Sequence, residues 1–234
     1  MKIQVWSDYV CPFCYIGKKQ LEKAINNSGY DGQIEVEFKS YLLDPNTPVD
    51  MEDSIYNGLT KKYNMSLQEA KAMTQNLALR AKEVGLEYNF DEMKTANTVA
   101  AHRLTKWAED NGKGAEMNER ILKAYFLEGQ AIGRVDVLET LAQEVGLEAA
   151  AVHEVLASDK YTVEVQQDIE VAQQLGVRGV PFFVVDNKYG ISGAQPQDLF
   201  EQTIEKAATE AGLTRKLNMV GNDGAACKDG VCDI

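Results

Sequence analysis

Trp6-Ser7-Asp8-Tyr9-Val10-Cys11-Pro12-Phe13-Cys14-Tyr15-Ile16-Gly17 sets two cysteines two residues apart, directly after a short apolar run. Ile3, Val5 and Trp6 alternate with Lys2, Gln4 and Ser7, as a half-buried strand requires. From Ile16 onward Leu21, Ala24 and Ile25 recur at helical spacing among lysines and a glutamate. The cysteines therefore fall where a strand hands over to a helix N-terminus. The first turn of a helix offers free N–H groups and the positive end of the helix dipole, so a thiolate at Cys11 is favoured there. Cys14 lies one turn further in and is expected to be the more buried thiol. Pro12 suits the first helical position, where its missing N–H costs nothing. Three readings of the pair are open: a redox dithiol, half of a zinc site, or two core cysteines; a strand before and a helix after favour the first.

Outward from this stretch, a cluster of turn residues at Ser28-Gly29-Tyr30-Asp31-Gly32 precedes Ile34, Val36 and Phe38, which alternate with charged residues as a second strand. Strand, helix and strand make a βαβ unit with parallel pairing. Between about residues 50 and 176 helical periods follow one another. Leu67, Ala70, Met73, Leu77 and Ala81 mark one helix; Thr98, Ala101, Leu104 and Trp107 mark another. Ile121, Ala124 and Tyr125 mark a third, Val137, Leu138, Leu141 and Val145 a fourth, and shorter ones are expected at 149–156 and 162–175. Strands return with Gly179-Val180-Pro181-Phe182-Phe183-Val184-Val185, a turn at Asp186-Asn187-Lys188, and Tyr189-Gly190-Ile191-Ser192-Gly193. A closing helix carries Leu199, Phe200, Ile204 and Ala207.

The order βαβ, helices, then ββα is that of an α/β thioredoxin fold with a large all-helical insertion. The expected division is a discontinuous thioredoxin-like domain over 1–45 and 177–212, a helical insertion over 46–176, and a tail over 213–234. Pro181 opens a central apolar strand, where it cannot donate to the ladder; an ordinary strand-start proline is the alternative, and the Cys-x-x-Cys pair upstream favours a cis Val180–Pro181 bond. Beside Cys11, the backbone of Val180 could then take an extended substrate by strand-type hydrogen bonds.

Composition narrows the class of partner. A formal charge of −12 on 234 residues opposes nucleic acid and anionic membrane surfaces. No apolar run approaches the length of a membrane span, and Met1-Lys2 leads straight into the first strand, so the expected location is the cytoplasm. The four cysteines form two local pairs, Cys11 with Cys14 and Cys227 with Cys232, unlike the spread of a structural disulfide framework. The second pair sits in a Gly-, Asn- and Asp-rich tail, where a small exposed disulfide would be easily reduced and re-formed, suiting it to relay electrons with Cys11 and Cys14; a shared metal site and an idle tail are the alternatives. Asp8 could relay protons to the pair or cap the helix. His102 reads as a hydrogen-bonding residue, and His153 as a surface one. Met65, Met73 and Trp107 could line a substrate cleft, or belong to the core.

With these motifs in view, the chain resembles the DsbA family of thioredoxin-fold dithiol–disulfide oxidoreductases. More closely it resembles the FrnE-like branch, related to 2-hydroxychromene-2-carboxylate isomerases and kappa-class glutathione transferases. The resemblance spans Met1 to about Ala208. It rests on Trp6-Ser7-Asp8 with the Cys-Pro-Phe-Cys segment, Asn97-Thr98 with Ala101-His102-Arg103, Gly179-Val180-Pro181-Phe182-Phe183, and Lys188-Tyr189-Gly190-Ile191-Ser192-Gly193-Ala194-Gln195. It implies Cys11 as nucleophile, Cys14 as resolving thiol and Pro181 as a cis-proline facing them, with Pro12, Phe13 and Val180 at the substrate. The activity expected is disulfide isomerase or reductase chemistry with no cofactor or metal beyond these cysteines. Protein disulfides are the expected substrates, and glutathione or a thioredoxin-type protein a candidate reductant. The alternative is a glutathione-dependent isomerase or transferase acting on a small aromatic. Relatives of that kind carry serine where Cys11 stands, which sets this chain on the dithiol side.

Overall fold

Two strands from each end of the chain meet in one sheet. The computed structural model describes residues 1–30, 32–49 and 53–216. β1 (Lys2–Ser7), α1 (Pro12–Ser28) and β2 (Glu35–Ser40) form the βαβ unit; β3 (Phe182–Val185), β4 (Tyr189–Ser192) and α9 (Gln197–Glu210) close the fold. The sheet order is β2-β1-β3-β4. β1 runs parallel to β2 with Val5 opposite Phe38, and antiparallel to β3 with Val5 opposite Phe183. Asp186 and Asn187 turn the β3–β4 hairpin with φ of 51° and 54°, the pair of left-handed residues that matches strand twist.

Alternation along β1 divides the sheet between its faces. Ile3 and Val5, with Phe183 and Val185 of β3, pack on Leu21 and Ala24 of α1 and on Phe200 and Ile204 of α9. Phe183 and Phe200 meet edge to face at 4.9 Å. Trp6 points to the opposite face against Ala172 and Val177, and its indole N–H donates to the Asp168 carbonyl at 2.8 Å.

Between β2 and β3 lie α2 (Ile55–Tyr63), α3 (Leu67–Lys82), α4 (Val99–Asp110), α5 (Gly114–Phe126), α6 (Val135–Glu144), α7 (Ala149–Leu156) and α8 (Thr162–Gln174). Ser66 and Glu69 start α3 with a capping box, and Asn97 Oδ1 accepts from the Val99 N–H at the start of α4. The helical core, centred on residues such as Leu104, Ile121 and Leu138, includes Tyr9, Tyr15 and Ile16 from the segment around the cysteines. The helices are thus packed onto the segment that carries the cysteines.

One sequence expectation needs correction. Leu67 and Leu199, placed on inward faces by periodicity, are 52% and 39% exposed, because each sits in the first turn of its helix, short of the packed stretch.

Candidate active site at the N-terminus of α1

After β1 the chain makes one tight turn before α1, closed by the Cys11 N–H donating to the Asp8 carbonyl at 3.0 Å. Cys11 is the N-cap, with extended φ and ψ of −89° and 111°, and Pro12 takes the first helical position. Both cysteines are free thiols and buried, Cys14 at 1% exposure and Cys11 at 5%. The Cys11 thiol donates to the Val180 carbonyl at 3.4 Å. The Val180–Pro181 bond is cis, and the Pro181 carbonyl accepts from the Gly193 N–H at 2.8 Å.

Gly17 lets this juxtaposition form. A Cβ there would stand 3.0 Å from Cζ of Phe183 and 3.1 Å from Cγ of Pro181, so only glycine lets α1 lie this close without displacing them. Burial pushes the Cys14 thiol well up, and the neighbouring Cys11 sulfur adds to this; the Ser7 hydroxyl and the Asp8 amide act in the opposite sense. Cys14 is therefore held as a protonated thiol behind Cys11.

Asp8 is 1% exposed, and its carboxylate does not cap α1, whose N-cap Cys11 has no side-chain capping bond. Its oxygens instead accept from the Leu43 N–H at 2.7 Å and the Thr98 hydroxyl at 2.8 Å, and Oδ1 lies 3.4 Å from His102 Nε2. The capping alternative fails because the loop after β2 and the start of α4 bring these donors to the carboxylate. His153 is exposed and pairs with Glu139 at 2.7 Å.

Tyr88 was not legible as a site residue. Its hydroxyl donates to the Pro12 carbonyl at 2.7 Å, and its ring stacks on Phe126 at 4.6 Å. Burial above all, with the nearby cysteine sulfurs, raises its hydroxyl and keeps it a donor. A single tyrosine in the irregular stretch after α3 leaves no periodic signal.

A cleft of about 650 Å³ opens beside Cys11, walled by Val10, Phe13, Leu43, Met73, Phe90 and Phe126. Its size falls within the usual range for ligand sites, about 300–1,000 Å³. Met73 lines it as expected, whereas Met65 and Trp107 do not. The Arg80 guanidinium lies 4.9 Å from the centre of the Phe13 ring. Among the described residues no group of three or more His, Cys, Asp or Glu stands together as a metal ligand set. Cys227 and Cys232 lie outside the described residues.

A charged cluster locks α1 to α5. Glu119 accepts from the Tyr15 hydroxyl at 2.7 Å and from Lys19 at 2.8 Å, and it also pairs with the buried Lys18. Partial burial alone would raise Glu119, but Lys18 above all brings it down to about 2. That displacement from 4.5 corresponds to about 3 kcal/mol. With the side chain 34% exposed, about 2 kcal/mol is the expected cost of Glu119→Gln at neutral pH. Because the folded value is depressed, the contribution is complete above 4.5 and vanishes as pH falls toward 2. Denaturant unfolding at a series of pH values should show the two proteins converging across that window; a gap that persists at its acid end would refute the ion-pair account.

The class these features define is a thioredoxin fold with a Cys-x-x-Cys pair at the first helix N-terminus, opposite a cis-proline. Residues 2–205 match the DSBA-like thioredoxin domain, and the chain belongs to that family. It is 33% identical over 204 residues to the uncharacterized protein YwbO of Bacillus subtilis, covering 86% of this chain and 94% of that protein. A crystal structure of a probable DsbA oxidoreductase from Streptomyces coelicolor superposes with a TM-score of 0.85 at 35% identity, covering 100% of this chain and 99% of that one. The cytosolic disulfide reductase DsbM of Pseudomonas aeruginosa shares the fold at 20% identity, with a TM-score of 0.62 over 90% of this chain and 100% of that one, and has also been solved with GSH. No described helix is long and apolar enough to cross a membrane.

Proposed function

We propose that this protein is a dithiol–disulfide oxidoreductase of the FrnE-like branch that reduces or isomerises protein disulfides in the cytoplasm. One observation carries the reading: Cys11 is the N-cap of α1 with its sulfur 3.4 Å from the carbonyl that precedes cis Pro181, and Cys14 is buried behind it. In this scheme the Cys11 thiolate attacks a substrate disulfide, one substrate sulfur leaves as a thiol, and a mixed disulfide forms. Cys14 then attacks the Cys11 sulfur, the second substrate thiol leaves, and an external thiol reduces the Cys11–Cys14 bond. The Val180 carbonyl, held beside Cys11, suits an extended peptide through backbone hydrogen bonding, with Pro12 and Phe13 flanking the sulfur. Glutathione is a candidate for the external thiol, in keeping with the GSH complex of DsbM, and a thioredoxin-type protein is the other. The cytosolic description of DsbM and the absence of a spread disulfide framework support the location.

A Cys14→Ser variant tests the scheme. It should accumulate client proteins disulfide-bonded to Cys11 in cell extract, released by reductant and identified by mass. An empty trap would remove protein disulfides as the substrate class.

A further inference from the structure

Cys14 has to lose a proton before it can attack, and it is sealed from solvent. The Ser7 hydroxyl and the Asp8 amide act on its thiol against the upward push of burial. Ser7 also borders a small buried cavity of about 10 Å³, which is lined in addition by Tyr9, His102, Thr105 and Asn118. That volume is close to what one water molecule needs, and beside the Phe38 ring the lining includes side chains that can hydrogen-bond to it. Asn118 Oδ1 is buried without a hydrogen-bond partner among the described residues, an acceptor that a water would satisfy. His102 is the one histidine in that lining. Asp8 does not border the cavity, and two of its hydrogen bonds come from Leu43 and Thr98. The basic group presented to the cavity is thus the imidazole, with Asp8 3.4 Å from its Nε2.

We propose that a water in this cavity joins Ser7 to His102, and that His102, backed by Asp8, receives the Cys14 proton when Cys14 resolves the mixed disulfide. This rests on the dithiol reading above. The proton passes from Cys14 Sγ to Ser7 Oγ, Ser7 gives its own to the water, and the water gives one to His102. The Cys14 thiolate forms the bond to Cys11 Sγ, the bond from Cys11 to the substrate sulfur breaks, and the substrate leaves as a thiolate carrying the electron pair. The imidazolium then returns the proton to solvent or to the departing thiolate. Other charges bordering the cavity come from Lys39 and Lys106, and both are paired with Asp168. Lys39 also pairs with Glu37, and Lys106 with Glu109. Tyr9, whose ring lies 4.7 Å from that of His102, stays neutral because burial raises its hydroxyl. His102 is in this sense a positioning residue and proton acceptor, acting on Cys14 through Ser7 and the water.

Reaction of the reduced protein with 5,5′-dithiobis(2-nitrobenzoate) separates the two steps. Attack by Cys11 releases a first thionitrobenzoate, and resolution by Cys14 releases a second. His102→Gln and Ser7→Ala should each leave the first release unchanged and slow the second by about tenfold to a hundredfold near neutral pH. The gap should narrow as the pH is raised, because hydroxide then competes with the imidazole for the Cys14 proton. A second release at the unaltered rate in Ser7→Ala, or a slowing that is the same at every pH, would overturn the relay. Absence of a second release from the unaltered protein would instead count against the dithiol reading itself.

Discussion

Replacing Cys11 with serine is expected to lower disulfide turnover by about three orders of magnitude or more, the usual scale for removing a nucleophile. The alcohol does not ionise near neutral pH and attacks a disulfide sulfur poorly, so the first covalent step is lost. Cys14 cannot take over. It is 1% exposed, and burial followed by the Cys11 sulfur holds its thiol protonated. Serine at Cys14 acts differently, since Cys11 still attacks once and then waits. Glutathione-coupled reduction of insulin, followed with both variants, separates these outcomes. Retention of a tenth or more of the turnover by Cys11→Ser would show that the nucleophile lies elsewhere. The fold should tolerate the change, because Cys11 makes no side-chain capping bond to α1 and the substitution preserves size.

The largest expected effect on stability is at Asp168. This residue of α8 is 6% exposed and ties three elements together. Its carboxylate accepts from the Ser40 N–H at 2.9 Å, from Lys106 at 2.7 Å and from Lys39 at 3.2 Å, while its carbonyl accepts from Trp6. Asp168→Ala leaves two largely buried ammonium groups and a buried amide short of a partner. Breaking a buried pair costs about 3–5 kcal/mol. The lower end applies here, because Lys106 keeps Glu109 at 3.3 Å and Lys39 keeps Glu37 at 2.6 Å. A loss of about 3 kcal/mol lowers the melting temperature of a chain this long by about 6–12 °C. Asp168→Asn, which keeps an acceptor for Ser40 but not the charge, should fall between the two. Thermal unfolding of all three proteins checks the order; equal melting temperatures would mean that the lysines find full compensation without it.

The cysteine segment was legible because its determinants are local. A strand with period two, a proline at the first helical position and two cysteines one turn apart are all properties of neighbouring residues, and β1, Cys11 as N-cap and Pro12 follow from them. The cis Val180–Pro181 bond was also readable, from a proline opening an apolar strand in a chain that carries a Cys-x-x-Cys pair upstream. What stayed hidden has its partners far along the chain. Tyr88 reaches the Pro12 carbonyl from the stretch after α3, Glu119 reaches Lys18 from α5, and Asp168 reaches Ser40 from α8. Nothing in the spacing of these residues announces the contact. Asp8 shows the same division: its place three residues before Cys11 suggested a cap or a proton relay, yet its carboxylate is directed by the Leu43 amide and the Thr98 hydroxyl.

The sequence by itself determined the order of strands and helices, the thioredoxin architecture and the place of the Cys11–Cys14 pair at the start of α1, because each depends on periodicity and turn chemistry within a few residues. Only the tertiary structure decided how completely both thiols are covered, how close the Val180 carbonyl comes to Cys11, and which buried groups stand behind Cys14. Those outcomes depend on burial and on hydrogen bonds between segments as many as 169 positions apart, such as Cys11 with Val180, and such bonds exist only once the helices have packed against the sheet.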